Sequence, residues 1–361
     1  MTVFLVIAVF ILFNQMNAAK EGQFHKDYLD KDKTTAVNGF FVILILLSHA
    51  KQYIDTGGAY DAAYMAVSSH LNQMVVASFL FYSGYGMTES VKRKKYSYVK
   101  SIMTRRFWTL FINFNLALVL YFAEWLYLKK TVTLKQMLLA TIGWSSYGNS
   151  SWYIFAIFLL YILFFVSFFV IKFNDNPKLY YFCAAVFTGL VIAAVYVQMK
   201  MGRESYTYNT LILFALGVWW SLFKDLIEKI VMKNDIIYFF ILMLVVGAYC
   251  LTYFRRWKGG IEFYSLWAIA FTVLMLLITM KVSFFNPILS FFGRHVFSIY
   301  ILQRLPMYLF DKLGYSQSHK YMFVICCIAV TIVLAVIFDK VTGIIDKAIF
   351  DRKIKKISNQ A

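Results

Sequence analysis

Long apolar runs separated by short polar segments make up most of this 361-residue chain. A run of about twenty apolar residues crosses the hydrocarbon core of a bilayer as a helix, and continuous rather than alternating apolarity argues against a β-barrel. The pattern predicts an all-α, polytopic integral membrane protein with 10–11 transmembrane helices, no large soluble domain and a single domain over residues 1–361. We expect spans centred near residues 10, 45, 81, 117, 161, 188, 215, 245, 271, 297 and 329.

Basic residues concentrate in the segments between the runs, most densely from Lys92 to Arg106, a segment we interpret as a loop. The positive-inside rule then favours an N-terminus outside the cytosol and a cytosolic C-terminus with a basic tail, residues 340–361. Residues 1–18 are predicted to be a first span or a retained signal-like segment, because Met1–Phe13 has no basic start and no small-residue cleavage site. His49 then lies toward the extracytoplasmic end of its span.

Composition agrees with a membrane protein, since 61% of residues are hydrophobic and only 15% are charged. The net charge of +18 is explained by topology and by contact with membrane lipids, so nucleic acid is not an expected partner. All four cysteines lie within apolar runs and lack metal-ligand spacing. We therefore expect neither a disulfide framework nor a bound metal.

The apolar run Phe40–Ser48 carries His49 to an edge of the hydrocarbon. An ionisable group at that depth costs a few kcal/mol unless it meets a polar cavity or a partner. Histidine is also the side chain best suited to moving protons near neutral pH. His49 is thus a candidate general base, and the alternative is a snorkelling or helix-packing histidine.

Four segments, in order, resemble the acyltransferase-3 family of integral membrane acyltransferases. They are Asn38–His49, Phe79–Gly86, Ser151–Phe155 and Phe292–Gln303, and a basic segment ending in Arg105-Arg106-Phe107 follows the second, as in the family. The sequence departs from the family pattern at two positions. Asn38 stands where the family has an arginine, and Gln303 stands where a histidine is frequent.

The resemblance implies a membrane O-acyltransferase in a bacterial plasma membrane. It would transfer acetyl from cytosolic acetyl-CoA to a sugar hydroxyl of a cell-surface glycan or lipid-linked precursor, with His49 as the base. Asn38 would occupy the donor-side polar position, and Arg105 and Arg106 would hold the donor phosphates. Further candidates for the substrate cavity are Ser83, Tyr85, Trp152, Arg294 and His295.

Several alternatives stay open at the level of sequence. Topology alone also explains the Lys92–Arg106 cluster, and Lys33, Arg105 or Arg106 are the candidates to replace the charge missing at Asn38. Arg294 and His295 either line the polar cavity or sit at a helix end. A transporter or flippase for a lipid-linked or anionic substrate is the rival function, although matched inverted repeats are not evident. A catalytically silent family member is the third reading, and the acceptor, acyl chain and oligomeric state stay open.

Overall fold

The computed structural model describes residues 1–71 and 73–358, with side chains as far as Phe350. Helices account for nearly all regular structure in this part of the chain, which confirms the predicted all-α class. Two short strands, β1 (Asn17–Ala18) and β2 (Val282–Ser283), pair antiparallel and bring two distant segments to the same end of the molecule. The last residues of the predicted basic tail, 359–361, lie outside the described residues.

The α-helices follow one another along the chain with short connections. Their bounds are α1 Thr2–Phe13, α2 Lys31–Ala50, α3 Ala62–Leu71, α4 Met74–Ser101, α5 Trp108–Tyr127, α6 Leu134–Ala140, α7 Ser151–Phe168, α8 Pro177–Lys200, α9 Ile212–Val231, α10 Asp235–Arg255, α11 Gly260–Lys281, α12 Pro287–Arg294, α13 Val296–Leu302, α14 Arg304–Lys312, α15 Tyr315–Ser318 and α16 Lys320–Ser358. Single 3-10 turns lie at Ala59–Asp61, Phe169–Lys172 and Ser205–Thr207.

Eight helical segments of the described chain are long and apolar enough to cross a membrane, so the protein is a multi-pass membrane protein. One of these segments runs from Ala59 to Tyr127 and contains both α4 and α5. All eleven predicted centres fall within helices, but two predicted spans are not continuous full-length helices. Helix α1 has 12 residues, about 18 Å, which is shorter than a full span.

The predicted span around residue 297 is broken into α12, α13 and α14. His295 leaves helical geometry between the first two. Pro306 has no N–H to bond the carbonyl of Leu302, so the α13 ladder cannot continue and a new helix begins at Arg304. The break leaves Gln303 and Arg304 at a helix junction rather than within an uninterrupted apolar helix.

The predicted basic loop, Lys92–Arg106, is helical, and this prediction was wrong. Helix α4 continues to Ser101 with a kink at Lys95, and a π-helix, Ile102–Phe107, leads directly into α5. Lysine and arginine are good helix formers, and neither glycine nor proline interrupts the segment. Its lysines and arginines lie on an exposed helical face rather than in a turn.

Helix α2 packs against α12 at van der Waals limits through two glycines. A Cβ on Gly39 would lie 1.9 Å from the Leu289 carbonyl oxygen, and one on Gly293 would lie 1.9 Å from the Thr35 carbonyl oxygen. Small residues let membrane helices approach this closely. Gly84 and Gly217 join α4 to α9 in the same way, with Cβ positions 2.1 Å from opposing carbonyl oxygens. The helix that carries Asn38 and His49 is therefore fixed in position.

Replacing Gly39 by alanine is expected to force α2 away from α12. Overpacking of this kind lowers the free energy of unfolding by about 1–3 kcal/mol, which thermal melting of the protein in detergent measures. Gly247→Ala is the control, because a Cβ there meets no atom within 4 Å and alanine favours helix. Equal melting temperatures for the two variants would contradict the close contact.

Candidate functional site

Helix α2 connects two cavities. Asn38 lines the larger one, of about 1130 Å³, which we call the basic cavity. His49 lines a second one, of about 660 Å³, which we call the histidine cavity. Eleven residues of helix separate the two side chains by about 16 Å along the axis. Tyr300 lines both cavities and therefore lies between them.

Three cationic side chains, Lys94, Arg105 and Arg106, line the basic cavity together with Asn38. The π-helix presents the two consecutive arginines, and such local distortions of a helix are frequent at functional sites. Arg106 donates a hydrogen bond to the Tyr98 hydroxyl, and its guanidinium lies 5.5 Å from the centre of the Tyr161 ring. Guanidinium groups placed in this way suit phosphate oxygens.

The structure separates the candidates for the charge missing at Asn38. Arg105 and Arg106 face the same cavity as Asn38, whose Oδ1 is buried and has no partner among the described residues. Lys33 is engaged elsewhere, since its Nζ donates to Ser283 Oγ at 2.9 Å and lies 3.7 Å from an Asp27 carboxylate oxygen. The two arginines therefore supply positive charge to this cavity.

An ion pair holds the kinked segment that borders the basic cavity. Lys95 Nζ lies 2.5 Å from Asp175, and the Tyr180 hydroxyl donates to the same carboxylate at 2.6 Å. The hydrogen bonds from Lys95 and Tyr180 lower the pKa of the Asp175 carboxyl. Because the neighbouring Lys94 and Tyr98 line the cavity, this pair positions part of the cavity wall.

Ser150 links His49 to Arg304 in the histidine cavity. The His49 Nε2 atom lies 3.5 Å from Ser150 Oγ, which accepts a hydrogen bond from Arg304 Nε at 3.2 Å. Arginine has only donors, so the Ser150 proton is free to point to His49 Nε2. In that arrangement Nε2 is the unprotonated ring nitrogen, which a general base requires, and its lone pair is directed at Ser150 Oγ.

Two further contacts fix the Arg304 side chain. Its terminal nitrogens donate to Gln52 Oε1 at 2.9 Å and to the Tyr53 hydroxyl at 3.4 Å. Burial raises the pKa of Tyr53 to about 12, so Tyr53 keeps its proton and presents a neutral hydroxyl. The guanidinium is therefore held by neutral groups.

The second ring nitrogen of His49 faces away from Ser150. His49 Nδ1 and Gln303 Oε1 are both buried and have no hydrogen-bond partner among the described residues, and Gln303 neighbours the imidazole. Gln303 Nε2 donates to the Tyr300 carbonyl at 3.0 Å, which orients its carbonyl oxygen. An Nδ1–H donated to Oε1 would select the tautomer with a basic Nε2. Gln303 can therefore serve where the family frequently has histidine.

The rest of the histidine cavity is aromatic and amide-rich. Its walls include Gln52, Gln73, Asn149, Trp152, Tyr206, Asn209, Trp257, Tyr264, Tyr300 and Tyr308. Aromatic faces with a few placed hydrogen-bonding groups are typical of sites for small polar organic ligands. Within residues 1–71 and 73–350, no group of three or more His, Cys, Asp or Glu side chains is arranged to hold a metal ion.

The sequence-predicted site residues divide between these cavities. His49 and Trp152 line the histidine cavity, whereas Asn38, Ser83, Arg105 and Arg106 line the basic cavity.

The remaining three candidates lie outside both cavities. Tyr85 lines a smaller neighbouring cavity of about 430 Å³. Arg294 is exposed at the end of α12. Of the two positions that the sequence allowed, a cavity wall and a helix end, it occupies the helix end. His295 Nδ1 pairs with the Asp339 carboxylate. Of these two residues, Asp339 lines the basic cavity and His295 does not.

Sequence reasoning missed Arg304 and Ser150. The signal for Arg304 was present, because it is an isolated charge in an apolar run, the argument that identified His49. Ser150 carried no such signal, since serine is common at helix starts and its partner lies 101 residues away.

Comparison with known proteins finds one family match, which spans residues of both cavities. The family profile described as an acyltransferase domain matches residues 35–340. No curated protein and no solved structure matches the chain significantly. The match covers most of the chain and includes Asn38, His49, Ser150 and Arg304.

Removing the carboxylate in Asp175→Asn is expected to loosen the kinked segment, so that amides of residues 92–107 exchange hydrogen faster. Because the folded-state pKa of Asp175 is lowered, its contribution is complete above the ordinary carboxyl value of about 4 and is lost only below it. Hydrogen exchange, corrected for intrinsic rates, should therefore show the same protection from about pH 8 to 5 in the unsubstituted protein.

The control variant is Asp225→Asn. Asp225 is exposed, and no ion pair in the described part of the chain includes it. Equal exchange in both variants, or protection in the unsubstituted protein that falls already near pH 6, would contradict the role assigned to Asp175.

Proposed function

The chain belongs to the acyltransferase-3 family, and we propose that it is an O-acetyltransferase that uses acetyl-CoA and a sugar hydroxyl of a cell-surface glycan or lipid-linked precursor. One observation carries this proposal. His49 reaches a polar, aromatic cavity at one end of α2, and a cavity lined by arginines opens beside the other end of the same helix. A donor and an acceptor can thus approach one base from opposite sides of a bacterial plasma membrane, with the basic cavity and the C-terminus cytosolic.

The basic cavity suits coenzyme A. Arg105, Arg106 and Lys94 would bind its phosphates, and the Tyr98 and Tyr161 rings offer aromatic surface for the adenine. The amide of Asn38 would donate a hydrogen bond to the pantetheine arm and accept one at its unpartnered Oδ1. The arm would extend along α2 toward Tyr300, which lies between the two cavities.

His49 would act as general base and then as general acid. Its Nε2 takes the proton of the acceptor hydroxyl while the hydroxyl oxygen bonds the thioester carbonyl carbon. The tetrahedral intermediate collapses as the carbon–sulfur bond breaks, and the departing thiolate takes the proton from the imidazolium. The products are the O-acetylated sugar and free coenzyme A, and His49 returns to its neutral form.

The His49→Ala variant is expected to lose at least about 100-fold in acetyl transfer, the usual contribution of a general base. Purified protein in nanodiscs with radiolabelled acetyl-CoA and a panel of glycan acceptors measures this. His319→Ala, which changes an exposed histidine, should transfer at the unsubstituted rate. Acetyl transfer that survives in His49→Ala would contradict the assignment of His49 as the base. Movement of a lipid-linked sugar across the membrane without acetyl transfer would favour a transporter or flippase.

Arg105→Gln and Arg106→Gln are each expected to raise the KM for acetyl-CoA by about tenfold, the effect of losing one charged hydrogen bond to phosphate. The acceptor KM should not change. Lys100→Gln removes an exposed charge from the same basic segment and should leave both constants unchanged. If the KM for acetyl-CoA is unchanged in all three variants, the basic segment determines membrane topology and does not bind the donor.

A further inference from the structure

Among the described residues that line the histidine cavity, Arg304 is the one permanently charged side chain. The lining that residues 1–71 and 73–350 provide includes no aspartate or glutamate. None of the ion pairs in the described part of the chain includes Arg304. A half-buried guanidinium at a membrane edge is costly without a counterion, so its position favours an anion supplied from outside the protein.

The hydrogen bonds of Arg304 to described residues leave two N–H groups of its guanidinium available. A guanidinium has five N–H donors, and three of them go to the neutral oxygens of Ser150, Tyr53 and Gln52. One N–H remains on each terminal nitrogen. These two N–H groups remain available for the oxygens of a carboxylate or phosphate.

We propose that Arg304 binds an anionic group of the acceptor, so that the enzyme acetylates acidic sugars, which carry a carboxylate or a phosphate, in preference to neutral ones. This inference rests on the proposed O-acetyltransferase function. Arg304 and His49 share the Ser150 hydroxyl as a neighbour, so the bound anion lies within about one sugar ring of the base. The anion thereby selects which hydroxyl reaches His49 Nε2.

The aromatic and amide walls complete such a site. Trp152 and Trp257 offer faces for a sugar ring, while the buried Asn149 Nδ2 and Asn209 Oδ1 have no partner among the described residues and can serve its hydroxyls.

A role of Arg304 on the reacting carbonyl makes a different prediction. Replacing an arginine that stabilises the tetrahedral intermediate lowers kcat for every acceptor, whereas replacing one that binds the acceptor anion raises KM for charged acceptors alone. The comparison of charged and neutral acceptors therefore separates the two roles.

The experiment uses the full chain in nanodiscs with acetyl-CoA and three matched acceptors: methyl glucoside, methyl glucuronide and methyl glucoside 6-phosphate. We expect kcat/KM at least about tenfold higher for one or both anionic acceptors, as one charge-assisted bidentate contact provides. The two anionic arms distinguish carboxylate from phosphate. Arg304→Gln should abolish the preference through KM, Arg304→Lys should keep part of it, and the exposed Arg255→Gln should keep all of it.

Equal kcat/KM for the three acceptors, or a uniform loss of kcat in Arg304→Gln, would overturn the inference. If no acceptor is acetylated, the proposed function fails, and binding then decides the inference separately. Quenching of tryptophan fluorescence by methyl glucuronide or by the 6-phosphate, but not by methyl glucoside, supports it when Arg304→Gln removes the effect. Equal quenching by all three, or none, overturns it. Melting temperatures in detergent confirm that each variant is folded.

Discussion

The close contact between α2 and α12 is the constraint on which the rest of the site depends. Gly39 and Gly293 bring the two backbones to a separation that no side chain would permit. Because α2 is a rigid helix, fixing it there also fixes the depth of Asn38 and His49. Polar groups at both depths are tolerated in the membrane only because each faces a cavity.

The division into two cavities agrees with the proposed function, in which one base serves two substrates of different character. The basic cavity collects arginines on the π-helix between α4 and α5, which suit the phosphate-rich donor of the proposed function. The histidine cavity collects tryptophans, tyrosines and amides, which suit a sugar. Tyr300 stands between them, and its hydroxyl donates to the Ser150 carbonyl at 3.2 Å, so the boundary is tied to the helix start beside His49.

Much of the fold follows from the sequence, because each apolar run has to form a helix to satisfy its backbone in lipid. The same rule missed the break at His295 and the new start at Arg304, where Pro306 and packing override apolarity. It also misplaced the Lys92–Arg106 segment, since charge indicates the membrane end but does not distinguish an exposed helix from a loop.

The site was predictable only in part. The cost of burial identified His49 from sequence alone, and the family resemblance pointed to Asn38 and the two arginines. Ser150 and Gln303 reach His49 through tertiary contacts across about a hundred residues or more, and no local pattern reports such contacts. Arg304 carried the same burial signal as His49, and its neutral hydrogen-bond partners became visible only in the folded chain.

The proposed function requires that donor and acceptor meet at His49 from opposite faces of the membrane. Proteoliposomes of uniform orientation test it directly, with acetyl-CoA confined to one side and the acceptor to the other. We predict acetyl transfer when acetyl-CoA is on the face of Arg105 and Arg106 and the acceptor is on the face of Arg304, and none with the two exchanged. Transfer that requires both substrates on the same face, or that is indifferent to side in sealed vesicles, would contradict the account.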